Sequence, residues 1–152
     1  MELPDLEKLM TDVGPLVEAE EIRQYEDHRW VVAFDEDLAV EIEHDPDLAK
    51  LVFSAELGHP PAGEEAAAYK LLLNVAAMWR DTGGLRMGLN PTDDLVIQIY
   101  DIPVAGLELE GLEMNLRNFA DTALHARAVL AGNGNHGGAT EGLDEMLHHM
   151  RV

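Results

Sequence analysis

The chain has 152 residues, enough for one domain with a substantial core, and its 47% hydrophobic and 26% charged residues are typical of a folded protein. Its 30 acidic and 10 basic residues give a formal net charge of −20, which disfavours nucleic acid and membranes as partners because both carry negative charge. It contains no cysteine, which excludes a disulfide framework, a thiolate nucleophile and a cysteine zinc site, and is compatible with a reducing cytoplasm.

The first predicted element is a helix over residues 3–13, because its apolar residues are spaced three and four apart and Gly14-Pro15 supplies a stop. The segment lacks the basic start and apolar run of a signal peptide, and no later apolar stretch reaches membrane-spanning length. We therefore expect a cytoplasmic location. Residues 15–28 are weakly patterned and predict a connection with a short edge strand around Ile22.

In residues 30–57 successive side chains point to opposite faces, with a period of two, which predicts three antiparallel strands. The first two form a hairpin from Trp30 to Glu43, with an acidic turn at residues 35–37. In the third strand one face is apolar and consists of Leu51, Phe53, Ala55 and Leu57. Helices have to cover that face.

A second helix is predicted from Glu64 to about Asp81, and it has two apolar stripes instead of one. The first stripe consists of Ala68, Leu71, Leu72, Val75 and Trp79. The second stripe consists of Tyr69, Leu73, Ala76 and Ala77. Because a helix resting on one sheet needs only one stripe, we predict that the second is a dimer interface; burial beneath the chain's own loops is the alternative.

A second hairpin is predicted over residues 85–100, and a long amphipathic helix over residues 109–130. The element order α-β-β-β-α-β-β-α predicts an α+β fold in which helices pack on an antiparallel sheet. We assign residues 1–131 to this domain. Residues 132–152 are rich in glycine and predict a flexible tail, with apolar spacing near its end that suits a short helix.

The order of elements, together with several stretches of sequence, carries a family resemblance. These stretches are Leu6-Glu7-Lys8-Leu9-Met10 with Gly14, the hairpin from Trp30 to Glu43, Leu71-Leu72-Leu73-Asn74, Thr82-Gly83-Gly84, Leu85 to Pro91, Val96-Ile97-Gln98-Ile99, and the last helix with Leu116, Phe119 and Ala120. Over about residues 3–131 the chain resembles the CesT-like (Tir chaperone) family, the class I chaperones of bacterial type III secretion.

The resemblance implies a homodimer that binds the N-terminal chaperone-binding segment of a secreted effector and keeps it soluble, non-globular and competent for export. It implies no catalysis and no cofactor, and it makes the secretion ATPase a further candidate partner. The alternative on the same fold is a regulatory partner-switching protein that sequesters a transcription regulator.

An extended peptide can add to a strand edge, and a partner helix can lie in an apolar groove, so both modes need apolar surface outside the core. The residues that we predict to bind the effector are Leu6 and Met10 in the first helix, and Val31, Ala33, Val52, Val96 and Tyr100 on the sheet face opposite Phe34, Val40 and Ile97. The alternative is that these residues are scattered singly over the surface or are covered by the dimer partner.

Motifs for catalysis and for metal binding are weak. Ser54, the sequence's one serine, lies in a predicted strand, and the G-x-G-x-x-G match at residues 132–137 follows a helix instead of a strand. The group Asp35, Asp37, His44 and Asp47 lacks the glycine and terminal glutamate of an EF-hand, and His136, His148 and His149 lack the spacing of a metal site. We therefore predict no enzyme and no metal site.

Overall fold

The structure is a computed structural model, and it describes residues 1–35 and 37–132. Its helices are α1 (Leu3–Leu16), α2 (Glu65–Ala77), α3 (Trp79–Thr82) and α4 (Leu109–Leu130). Its strands are β1 (Glu21–Glu26), β2 (Arg29–Ala33), β3 (Ala39–Asp45), β4 (Lys50–Gly58), β5 (Arg86–Leu89) and β6 (Val96–Pro103).

The strands form one six-stranded antiparallel sheet in the order β1-β2-β3-β4-β6-β5. Val32 of β2 lies opposite Val40 of β3, and Ile42 of β3 lies opposite Phe53 of β4. The predicted α+β class is confirmed, and the edge strand expected around Ile22 is present as β1.

The described chain divides into two compact units. The first contains Met1–Ala55 and Tyr100–Ala120, and therefore α1, the strands β1 to β3 and the first half of α4. Phe53 of β4 packs edge to face against Phe119 of α4, with ring centroids 5.7 Å apart. The fully buried side chains of the first unit include Leu6, Met10, Trp30, Leu38, Ile42, Leu51, Leu112 and Leu116.

The second unit contains Glu56–Ile99 and the described residues from Asp121 on. In this unit α2 packs against β5, and the guanidinium of Arg127 donates to the carbonyl oxygen of Glu56 over 3.0 Å. Its buried apolar side chains include Leu57, Leu71, Leu72, Val75, Leu85, Val96, Ala123, Ala126, Val129 and Leu130.

The prediction that the first helix stops at Gly14-Pro15 is wrong, because α1 continues through both residues to Leu16. A proline in the last turn removes a single N–H, and few helical bonds remain to be lost there. The helix end is closed instead by the backbone N–H of Val17, which donates to Val13, and by that of Ala19, which donates to Gly14.

The prediction of one continuous second helix to Asp81 is also wrong, because the chain breaks at Met78, with φ −95° and ψ 44°. The N–H of Met78 bonds to the carbonyl of Val75, three residues back, which tightens the final turn and changes the helical phase. Trp79 consequently leaves the buried stripe and is 61% exposed. The predicted stop at Thr82-Gly83-Gly84 is confirmed, with Gly83 in the left-handed region.

The assignment of residues 1–131 to a single domain stays a prediction. The predicted tail lies outside the described residues, apart from Gly132.

Candidate partner-binding surfaces

Helix α1 and strand β1 enclose a groove of about 750 Å³ in the first unit. The groove is lined by Glu7, Met10, Thr11, Gly14, Pro15, Ala19, Glu20, Glu21, Ile22, Gln24 and Trp30. Met10 and Trp30 form its base and are 1% and 2% exposed. The side-chain amide of Gln24 donates to the carboxylate of Glu7 over 3.0 Å and so joins β1 to α1.

The width of the groove at one end is set by Gly14. A Cβ atom at this position would lie 3.2 Å from Cδ1 of Ile22, which is closer than an ordinary van der Waals contact. The absence of a side chain therefore lets α1 and β1 approach each other here. The N–H of Glu20 donates to the carbonyl of Ala33 over 2.8 Å and attaches the connecting segment to β2.

The rim of the groove is acidic, because Glu7, Glu20 and Glu21 line it and no lysine or arginine is found among its described lining residues. A hydrogen bond with the carboxyl group of Asp35 raises the pKa of Glu20 above its usual value, and the charge of Asp35, burial and the charge of Asp37 raise it further. The rim is thus a region of negative potential.

Two of the predicted effector-binding residues, Leu6 and Met10, are buried, at 0% and 1% exposure. Leu6 offers no surface to a partner, because it points into the core on the inner face of α1, whereas Met10 reaches the base of the groove. Val31, Ala33 and Val52 are half-buried. They alternate with buried neighbours in β2 and β4, as the period of two requires.

The predicted orientation of β6 is wrong at its start, because Val96 and Gln98 are both 0% exposed while Ile97 and Ile99 are half-buried. Strand β6 lies between β4 and β5 in the sheet, and an interior strand can be covered on both faces, so polarity does not identify its buried side. Val96 therefore offers no surface to a partner, whereas Tyr100 is half-buried and part of its side chain remains accessible.

The second apolar stripe of α2 lies on the surface of the second unit. We call it the α2 face, and it consists of Tyr69, Leu73, Ala76 and Ala77. Leu73 is 73% exposed, both alanines are exposed and Tyr69 is half-buried, whereas Leu71, Leu72 and Val75 of the first stripe are buried. Within the described part of the chain, no loop covers Leu73.

Further exposed apolar side chains of the second unit are Trp79 and Leu89, at 61% and 38% exposure. The guanidinium of Arg80 lies 5.1 Å from the centre of the Trp79 ring, within the range of a cation–π contact. Trp79 follows directly after α2, which carries the exposed Leu73. Exposed apolar side chains grouped in this way are typical of a surface that a protein partner covers.

A pair of histidines joins β3 to the turn between β1 and β2. Nδ1 of His28 lies 2.8 Å from Nδ1 of His44, and the backbone N–H of His44 donates to the carbonyl of His28, also over 2.8 Å. His44 is 6% exposed. Only one of the two facing Nδ1 atoms can carry a hydrogen in this bond.

Burial lowers the pKa of His44 below the usual histidine value of 6.5, the neighbouring His28 and the amino group of Met1 lower it further, and Asp45 opposes them. In the unfolded chain His44 takes up a proton near pH 6.5, whereas in the folded chain it resists protonation to a lower pH. Stability is therefore lost as the pH falls below 6.5.

We expect His44→Leu to weaken the dependence of stability on pH between 7.5 and 5.5. The free energy of unfolding of the wild type is expected to fall by roughly 1 kcal/mol more than that of the variant, since one proton contributes at most about 1.4 kcal/mol per pH unit. Urea unfolding of both proteins at the two pH values measures the difference. Equal slopes would contradict this role of His44.

The described residues contain no cluster of three or more histidine, aspartate or glutamate side chains that could hold a metal ion. In particular, His44 faces His28 and not the carboxylates of the nearby turn. None of the described helices is long and apolar enough to cross a membrane.

Sequence reasoning did not identify the groove, the histidine pair or the exposure of Trp79. The groove joins residues of α1 to residues of β1 and to Trp30, and only Gly14 within an otherwise regular helical pattern hinted at a close approach. The histidine pair joins positions 16 residues apart, and neither residue belongs to a recognisable motif.

The sequence profile of the Tir chaperone protein (CesT) family matches residues 17–127. No curated protein is detectably similar in sequence.

Solved structures with a similar fold include the following three, each below 25% identity. The ExsC-ExsE complex has a TM-score of 0.70 at 20% identity, with 85% of this chain and 96% of that chain covered. The HopA1-SchA chaperone-effector complex has a TM-score of 0.62 at 17% identity, covering 84% and 98%. The Yersinia pestis type III secretion chaperone SycH, in complex with a stable fragment of YscM2, has a TM-score of 0.60 at 18% identity, covering 82% and 98%.

Proposed function

The chain belongs to the Tir chaperone protein (CesT) family, and we propose from this membership that it is a type III secretion chaperone. It binds the N-terminal chaperone-binding segment of a secreted effector and keeps that segment soluble, non-globular and competent for export. The observation that carries the proposal is the family match, which runs from the end of the α1 region through the sheet into α4.

The fold supports the proposal. The structures that it resembles include complexes described as a chaperone with an effector and as a type III secretion chaperone with a protein fragment. The chain covers 98% of the matched chain in each of these two structures, so the likeness extends over those whole folds. The competing function, sequestration of a transcription regulator, has no separate observation in its favour.

The surfaces of the first unit suit an extended segment. Strand β1 is an outer strand of the sheet, and an added strand can bond to such an edge through its main chain. The groove beside it provides an apolar base, and Val31, Ala33, Val52 and Tyr100 provide partly exposed apolar side chains on the sheet. Binding of this kind needs no cofactor and involves no bond-making chemistry, so we propose that the protein is not an enzyme.

The second unit suits self-association. An apolar helix face with a leucine 73% exposed is unfavourable in water. In a symmetric dimer the same apolar face of a second copy would cover it. We propose a homodimer formed through the α2 face, with Tyr69, Leu73, Ala76 and Ala77 at its centre.

The net charge of −20 keeps such a dimer soluble, and we propose a bacterial cytoplasmic location. Binding to the secretion ATPase stays a prediction.

Co-expression with secreted proteins encoded beside its own gene tests the proposed function. We expect one of them to copurify with the chaperone through gel filtration at 150 mM salt, and its N-terminal segment to be protected from limited proteolysis in the complex. The matched control is the same secreted protein without that segment, which should not copurify. A folded transcription regulator as the tight ligand, with no secreted protein bound, would support the competing function.

A further inference from the structure

The pair of histidines fastens the turn between β1 and β2 to β3. It continues the register of these two strands by one position beyond Arg29 and Glu43. Nδ1 of His28 lies 2.8 Å from Nδ1 of His44, the ring centroids are 5.0 Å apart, and the N–H of His44 donates to the carbonyl of His28. The turn is therefore joined to β3 by a side-chain bond and by a backbone bond.

The segment that the pair fastens has an irregular backbone. The register of β1 and β2 shifts between Gln24 and Glu26, which interrupts the ladder at Tyr25. His28 adopts a φ of 65°, in the left-handed region, which is unfavourable for a residue other than glycine. Once His28 is released, residues 25–28 can therefore move about the irregularity while the rest of β1 stays paired.

The hydrogen bond between the rings depends on how many protons they hold. A neutral imidazole has one N–H group and one acceptor nitrogen, whereas a charged imidazolium has two N–H groups and no acceptor. When one ring is charged, its Nδ1–H still donates to the neutral ring. When both are charged, no acceptor remains and two positive rings face each other. The bond thus survives the first proton and is lost with the second.

The surroundings of the buried ring oppose the second proton. His44 is 6% exposed, and its burial, the neighbouring His28 and the amino group of Met1 lower its pKa, whereas Asp45 raises it. His28 is half-buried, so water can hydrate a charge on its ring more readily than one on His44. The second proton is therefore taken up below the usual histidine value of 6.5.

Ion pairs occupy the next position of the ladder. The guanidinium of Arg29 lies 3.2 Å from the carboxylate of Glu43 and 3.8 Å from that of Glu26. All three side chains are more than 40% exposed, and ion pairs at such positions contribute at most about 1 kcal/mol. These pairs are too weak to hold the turn against two charged rings.

We propose that His28 and His44 form a two-proton latch, which holds the β1–β2 turn on β3 while at most one ring is charged and frees the turn when both are charged. The first unit otherwise stays folded. The opening changes one end of an outer strand of the sheet and needs no partner, so the inference does not depend on the proposed function.

Hydrogen exchange of single backbone amides, followed by NMR on the full-length protein from pH 7.0 to 4.5, tests the latch. The amide of His44 reports on it directly, because it donates to His28. The internal control is the amide of Phe34, which donates to the carbonyl of Leu38 over 2.8 Å at the opposite end of the β2–β3 pair. Protection is corrected for the intrinsic exchange rate at each pH. The ¹⁵N resonances of the two rings count the protons.

Two variants are compared with the wild type. His28→Asn removes one titrating ring, keeps a residue that tolerates the left-handed region, and places an amide oxygen that accepts from His44 whether that ring is neutral or charged. The matched control is His59→Gln, which removes an exposed histidine of the second unit that bonds to the carbonyl of Asp93.

In the wild type and in His59→Gln we expect the protection of the His44 amide to persist through the first protonation. It should fall at least about tenfold across the second, since one proton changes an equilibrium up to tenfold per pH unit. The protection of the Phe34 amide should change less than about threefold. In His28→Asn the His44 amide should stay protected to within about threefold.

The latch is refuted if the His44 amide stays protected after both rings are charged, or if its protection is lost with the first proton. Equal losses at Phe34 would show unfolding of the unit in place of a local opening and would also refute it. The same holds if His28→Asn loses protection as the wild type does, or if His59→Gln abolishes the response.

Discussion

Leu73→Glu is expected to convert the protein from a dimer into a monomer that remains folded. Leu73 is 73% exposed in the single chain, so the substitution does not disturb the core of the second unit. In the proposed homodimer both copies would place a carboxylate against an apolar surface, and an unpaired buried charge is strongly unfavourable. A loss of about 3 kcal/mol or more is expected, which raises the dissociation constant at least about 100-fold.

Light scattering over a range of concentrations measures this effect. The matched control is Leu48→Glu, which makes the same substitution at a leucine 65% exposed in the turn between β3 and β4. The control should keep the mass of the wild type, and circular dichroism should show both variants folded. A Leu73→Glu variant with an unchanged dimer mass would mean that the α2 face is not the interface.

Phe53→Ala is expected to cause the largest loss of stability among single substitutions in the first unit. Phe53 is 0% exposed, lies opposite Ile42 in the sheet and packs edge to face on Phe119. Truncating such a side chain removes its burial and leaves a cavity, at a cost of about 3–5 kcal/mol. For a protein of this size, that corresponds to a melting temperature lower by roughly 10 °C.

Thermal unfolding of Phe53→Ala and of Phe53→Leu separates the two contributions. The leucine variant keeps most of the volume and should lose substantially less stability, because only the aromatic contact and part of the packing are removed. Leu48→Ala, at an exposed position, should change the free energy of unfolding by at most about 0.5 kcal/mol. If Phe53→Ala were as mild as Leu48→Ala, the described packing of β4 on α4 would be wrong.

The sequence predicted the strands and the last helix well because their signals are local. In β4, alternation places Leu51, Phe53, Ala55 and Leu57 on one side, and the structure buries all four. The apolar spacing of α4 likewise marks Leu112 and Leu116, both 0% exposed. Each pattern follows from the period of the backbone itself, which does not depend on what the element packs against.

Local patterns failed where a distant part of the chain decides the outcome. In β6 the alternation was visible, but the choice of buried face depends on which elements cover this interior strand, and the polar Gln98 is buried with Val96. A continuous helix would place Trp79 in the buried stripe, but the break at Met78 rotates it to the surface. The helical spacing does not show which face of α1 is buried, and the fold turns Leu6 and Met10 inward.

By itself, the sequence determined the acidity of the protein, its α+β class and the presence of a second apolar stripe on α2, because composition and periodicity are properties of the chain alone. Only the tertiary structure decided that this stripe is uncovered at Leu73, that His28 and His44 share a hydrogen bond, and that part of the acidity surrounds an apolar groove. These features depend on contacts between residues distant in the chain, which no local pattern encodes. The net charge of −20 first indicated only which partners the protein avoids. The fold places Glu7, Glu20 and Glu21, three of these acidic residues, along the groove between α1 and β1.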